Sequence, residues 1–152
     1  MVDYLKASVR LLQRKRMIKT AMQALQSRID FLEDELTACR VSSYDSIREE
    51  DARTSDMEDR RLAILARLDE VRSRFRALHE QMEQIERGYS VLTPYQRDVL
   101  DTFFATEERY CADKLCERYY KERSQIYRDR KKAIQRFSLA VFGCMETEDS
   151  LI

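Results

Sequence analysis

Ile64, Leu68, Val71, Phe75, Leu78, Met82, Ile85 and Tyr89 step along the chain by four and three without a miss. At 3.6 residues per turn such positions share one side of a helix, whereas on a strand they would scatter over both faces. A second run does the same through Ile18, Met22, Leu25, Ile29, Leu32 and Leu36, and Leu11, Leu12, Leu5 and Tyr4 extend it upstream. These are a/d seams, which bury themselves only against another helix. They read as packing surfaces rather than as cofactor sites. Two such helices fold most simply as a long antiparallel, coiled-coil-like hairpin over 1–91, and the same pattern permits a homo-oligomer through the long helices.

Between the seams, the polar segment 41–56, "VSSYDSIREEDARTSD", carries no stripe and is expected to connect the two helices as a loop or a partly helical link. Gly88, near the end of the second run, reads as its C-cap. Two Gly and one Pro in 152 residues leave little turn chemistry, so strand-rich and Rossmann-type folds are disfavoured and an all-α fold is expected.

The segment 92–143 opens with "LTPYQRDVLDTFF". Thr93 suits an N-cap, and Pro94 suits the first helical position, where its missing N–H costs nothing. Val99, Leu100, Phe103 and Phe104 form an apolar face. A break near "ATEERY" precedes a second helix over about Cys111–Tyr119, then a four-residue turn and a third helix from near Arg123 to Phe142, ended by Gly143. Three helices in this order are the scaffold of a helix-turn-helix domain. Leu115, Cys116, Tyr119, Ile126, Ala133, Ile134 and Phe137 fall on the inward side, with the small Cys116 at the close crossing. Arg123, Ser124, Tyr127, Arg128 and Lys131 then point outward. Residues 144–152 form a short acidic tail, expected to fray.

From Arg118 to Arg136 eight Lys/Arg face only Glu122 and Asp129, although the whole chain has zero net charge. A basic run alone is more often a solvated helix face. Following a helix and a short turn with matched core spacing, this one is better read as a surface for duplex DNA, whose binding depends on local positive charge.

Here the chain resembles a known family. "LTPYQRDVLDTFF" followed by "DKLCERYYKERSQIYRDRKKAIQRF" looks like the fourth region of bacterial sigma factors, over roughly Leu92 to Gly143. With a long helical first half and a final "FSLAVFG", the chain is similar to ArpU/RinA-type late transcription regulators and related sigma-like proteins of Gram-positive prophages. Leu115-Cys116, Tyr119, Glu122, Ile126 and Ala133-Ile134 stand at the motif positions. Tyr120 stands where a Gly-like turn residue is usual, and Glu122 where Ser or Thr usually caps the recognition helix. The resemblance implies that Arg123, Ser124, Tyr127 and Arg128, with Gln125, face the bases. Arg and Gln have the bidentate geometry for guanine and adenine edges. It implies that Lys121, Lys131 and Lys132 hold phosphates, which position a protein without specifying sequence.

Other chemistries find little support. The four cysteines form no C-x-x-C pair and His79 is the one histidine, so neither a zinc site nor any other metal or cofactor is expected. Glu107-Glu108 and Glu49-Glu50-Asp51 lack a catalytic partner, so no enzyme is expected. No apolar run is long enough for a membrane span. Scattered thiols and no signal peptide suggest the cytoplasm of a bacterial host. The leading expectation is a phage or prophage DNA-binding transcription regulator, with RNA polymerase as a further candidate partner. The DNA-recognition small subunit of a packaging terminase and a coiled-coil adaptor binding RNA polymerase are the alternatives.

Overall fold

The computed structural model describes residues 3–45, 51–106 and 108–144, and among them every regular element is helical. In chain order these are α1 (Tyr4–Asp45), α2 (Asp51–Ser90), α3 (Pro94–Leu100), a π-helical segment (Asp101–Ala105), α4 (Cys111–Tyr119) and α5 (Arg123–Phe142). The protein is all-α. No described helix is long and apolar enough to cross a membrane.

Helix α1 starts on Asp3, whose carboxylate accepts the backbone N–H of Lys6 at 3.0 Å. That satisfies one of the donors that a helix N-terminus leaves free. The same hydrogen bond is the main cause holding the Asp3 carboxyl below its ordinary range. Helix reaches into the polar connection from both sides, over 41–45 and 51–56, and 46–50 lies outside the described residues.

The chain divides into two compact units, residues 20–79 and residues 1–19 with 80–152. In the first, Ile29 and Leu32 of α1 are buried with Ile64 and Leu68 of α2, and Leu36, Cys39, Val71 and Phe75 pack around them. These are seam positions. Glu33 accepts from Arg72 at 2.7 Å beside the seam. Both side chains are about half exposed, so the pair contributes about 0–1 kcal/mol. His79 is exposed and stacks on Phe75 at 6.1 Å.

The second unit has two apolar clusters. Leu12, Leu92, Leu100, Ala133 and Phe137 are buried together, with Leu11, Tyr89, Phe104, Ile134 and Val141 against them. Val99, Leu115 and Ile126 form the other, with Tyr95, Phe103, Cys116 and Tyr119 around it. The first turns of α1 and the end of α2 thus share a core with α3 and α5. Gly88 makes that possible, and its role differs from the expected C-cap. Helix α2 runs through it to Ser90, and a Cβ there would overlap the buried ring of Phe137. Gly88 is a point of close approach, so its missing side chain matters more than its backbone freedom.

Thr93 and Pro94 start α3 as expected. The Thr93 hydroxyl accepts the Gln96 N–H at 3.2 Å, and the Gln96 side chain accepts the Thr93 N–H at 3.2 Å, closing a capping box. The break near "ATEERY" is prepared by the π-helical segment, in which the Thr106 N–H reaches back five residues to the Asp101 carbonyl at 2.9 Å. At the other end Gly143, with φ 74°, closes α5 by donating to the Leu139 carbonyl at 2.9 Å. The acidic tail beyond Cys144 lies outside the described residues.

Candidate nucleic-acid interface

Helices α4 and α5 occupy the ranges that the sequence marked, Cys111–Tyr119 and Arg123–Phe142. The connection between them is three residues, 120–122, one shorter than expected. Leu115 of α4 and Ile126 of α5 are fully buried against Val99 of α3. Burying such side chains contributes about 1.5–3 kcal/mol each. Cys116 is half-buried and packs on the same cluster.

The turn is unusual in composition. Tyr120 adopts the left-handed conformation, φ 53° and ψ 43°, at the position where a glycine is usual. For a residue with a Cβ that conformation costs about 1–2 kcal/mol, and the ring gains nothing by burial because it is 95% exposed. Glu122 is the N-cap of α5, with extended backbone and no side-chain cap hydrogen bond. Its charge still suits the positive end of the helix dipole.

Three tyrosine–aspartate pairs brace the domain. On α5, Asp129 accepts from the Tyr95 hydroxyl at 2.6 Å, from Gln125 Nε2 at 2.8 Å and from Lys121 Nζ at 3.2 Å. On α3, Asp98 accepts from the Tyr119 hydroxyl at 2.5 Å and from Arg118 at 2.6 and 2.8 Å. Asp101 accepts from the Tyr89 hydroxyl at 2.5 Å and from Lys15 at 3.1 Å. Burial alone would push the Asp129 and Asp98 carboxyls up, but the hydrogen bonds and neighbouring cations outweigh it and hold both below the ordinary range. The Tyr89 and Tyr95 hydroxyls are pushed well up, first by burial and then by their carboxylate partners. For Tyr119 the bond to Asp98 leads and burial adds.

These contacts sort the sequence-marked residues into two groups. Lys121 and Gln125 are turned toward Asp129, and Lys121 Nζ also sits 4.0 Å above the Tyr95 ring. Arg123, Ser124, Tyr127, Arg128, Lys131 and Lys132 are exposed along α5. Arg123 lies 3.9 Å from Asp113, a loose contact between two exposed groups. Arg128, Lys131 and Lys132 have no ion-pair partner among the described residues. The outer face of α5 is therefore cationic and available, while its inner face is spent on packing.

Spacing alone did not single out Arg130. Its guanidinium lies 4.8 Å from the Phe103 ring centre and 4.8 Å from that of Tyr127, holding the Tyr127 ring at the edge of the cationic face. The role of Asp129 was equally hidden, because its partners Tyr95 and Lys121 are distant in sequence or lie in the turn. Among the described residues no group of three or more His, Cys, Asp or Glu side chains gathers as metal ligands would. All four cysteines are free. Comparison with protein-family models, with curated proteins and with solved structures finds no match to this chain.

Proposed function

We propose that this protein binds duplex DNA through the outer face of α5, with α4 and α5 as the two helices of a helix-turn-helix carried by an antiparallel hairpin of α1 and α2. The observation that carries the reading is the division of α5 into a fully buried side (Ile126, Ala133, Phe137) and an exposed side bearing Arg128, Lys131 and Lys132 without ion-pair partners among the described residues. Arg123, Ser124, Tyr127 and Arg128 stand near the start of the helix, where an inserted recognition helix presents side chains to base edges. Lys131 and Lys132 follow one turn later and suit phosphates. Lys121 and Gln125 take a different part. Their bonds to Asp129 fix the turn and the first turn of α5, so they position the reading face rather than contact DNA. The sigma-like resemblance of 92–143 makes transcription regulation the favoured role, with the chain acting by binding rather than by catalysis.

The test is duplex binding by the intact chain, with bound sequences selected from a random pool. Arg123→Glu with Arg128→Glu is expected to abolish binding while helical content and melting temperature stay as in the wild type. Each good bidentate base contact is worth about 1–3 kcal/mol, and reversal adds repulsion from phosphates. Undiminished binding by the double variant would refute the assignment.

A further inference from the structure

We infer that the first turns of α1 form a second part of the same DNA-binding surface, holding backbone phosphates beside α5. Within the second unit, a groove of about 550 Å³ is lined by Lys6, Val9 and Arg10 of α1 and by Tyr127, Arg130 and Lys131 of α5. Two of the residues already placed on the DNA-facing side of α5 therefore form one wall of a cleft whose other wall belongs to the opposite end of the sequence. The charge along the cleft is mainly positive. Of the ten residues that line it, Lys6, Arg10, Arg130 and Lys131 are cations, Asp3 is the one acid, and Leu5, Val9 and Ile134 are apolar. Asp3 lies 3.2 Å from Lys6 and also accepts the Lys6 backbone N–H. Arg10 is exposed and has no ion-pair partner among the described residues. The surrounding sequence has the same sign: residues 1–19 carry six Lys/Arg against Asp3 alone.

Charge complementarity selects the occupant. A duplex presents a line of phosphates on either side of the groove that a recognition helix enters, so cations beside that helix meet the backbone and contribute affinity without sequence preference. Lys6 and Arg10, one helical turn apart, offer two such contacts, and Tyr127 and Lys131 make the cleft continuous with α5. Arg130 is engaged with Phe103 and Tyr127 and shapes the wall. This inference rests on the DNA-binding reading of α5, and the salt dependence of binding separates the two.

The experiment titrates the full-length chain into a fixed duplex over a range of salt concentrations. Each phosphate contact contributes about 0.9 to the slope of log affinity against log salt. The Lys6→Gln/Arg10→Gln variant is expected to bind several-fold more weakly on every duplex, with the slope reduced by about two units. A control removing two exposed cations from the other unit, Arg60→Gln/Arg67→Gln, is expected to change neither quantity. Wild-type slope in the α1 variant, alongside lost binding in the α5 variant, would overturn the inference and leave the α5 reading intact. An equal effect of the control would also overturn it, by reducing the result to net charge. Unchanged DNA binding with loss of poly-glutamate binding would assign the cleft to an acidic protein partner instead. Failure of the wild type to bind any duplex would remove both proposals.

Discussion

The two units of this chain use the same helices in different ways. Residues 20–79 are held by the seam: Ile29, Leu32, Ile64 and Leu68 are buried, and a polar link beside them, Glu33–Arg72, is about half exposed. The unit of 1–19 with 80–152 adds to its apolar clusters three carboxylates, Asp98, Asp101 and Asp129, each accepting a tyrosine hydroxyl and a cation. Charge differs too. The first unit has 10 Lys/Arg against 13 Asp/Glu, and the second 18 against 15, so the zero net charge of the chain conceals two regions of opposite sign. A seam needs only shape and spacing. A surface that presents cations on one side of a helix must also fix that helix in rotation, and directional hydrogen bonds do this where apolar packing alone is permissive.

That contrast can be broken most forcefully at Phe137. Its ring is fully buried against Gly88 and Leu12, Leu92 and Leu100. Phe137→Ala is expected to cost about 3–5 kcal/mol, read as a fall in amide-exchange protection across 4–19 and 80–144. Protection in 20–79 should persist. Uniform loss throughout the chain would show that the units unfold as one.

Asp129→Asn is the next largest. It removes the negative charge and leaves one acceptor oxygen where Tyr95, Lys121 and Gln125 share two, and a hydrogen bond to a charged group contributes about 1.5–3 kcal/mol. The same bonds make the second unit pH-sensitive. Because the Asp98 and Asp129 carboxyls are lowered in the folded state, the stability they add is present above the ordinary carboxylate range near pH ~4 and is lost as pH falls through their lowered values. At the alkaline end the sign reverses. The hydroxyls of Tyr89, Tyr95 and Tyr119 are raised, so their contribution is complete below about pH 10 and declines above it. Exchange at pH 3 is expected to rise in 80–144 before 20–79. Asp129→Asn should narrow that difference.

The smallest effect is expected at the exposed link of the seam unit. Arg72→Ala should change the melting free energy by about 0–1 kcal/mol, measured by denaturant titration. A loss as large as that of Asp129→Asn would mean that the seam unit also depends on directional polar contacts.

Much of the fold is legible in the sequence where the signal is local. The four-and-three steps place both long helices, Thr93-Pro94 starts α3, and Gly143 ends α5. What escapes depends on partners far apart in the chain. Gly88 looks like a helix end because glycine usually is one near the close of a periodic run. Only the ring of Phe137, 49 residues later, gives it another purpose. The Tyr–Asp pairs leave no periodic trace, since each joins different elements. The same holds within the candidate site. Lys121 and Arg128 are equivalent as basic residues in a basic run, and only the position of Asp129 separates the cation that braces from the cation that faces outward. The left-handed Tyr120 is the reverse case: the turn position was legible, but the residue filling it was not the one the conformation favours.

The central claim, that the outer face of α5 meets duplex DNA, is tested most directly by mapping amide and side-chain NMR shifts on titration with duplex DNA. The account predicts that the largest changes fall on Arg123, Ser124, Tyr127, Arg128, Lys131 and Lys132, with Ile126 and the seam residues of 20–79 little affected. Changes concentrated in 20–79, or none at saturating duplex, would contradict it.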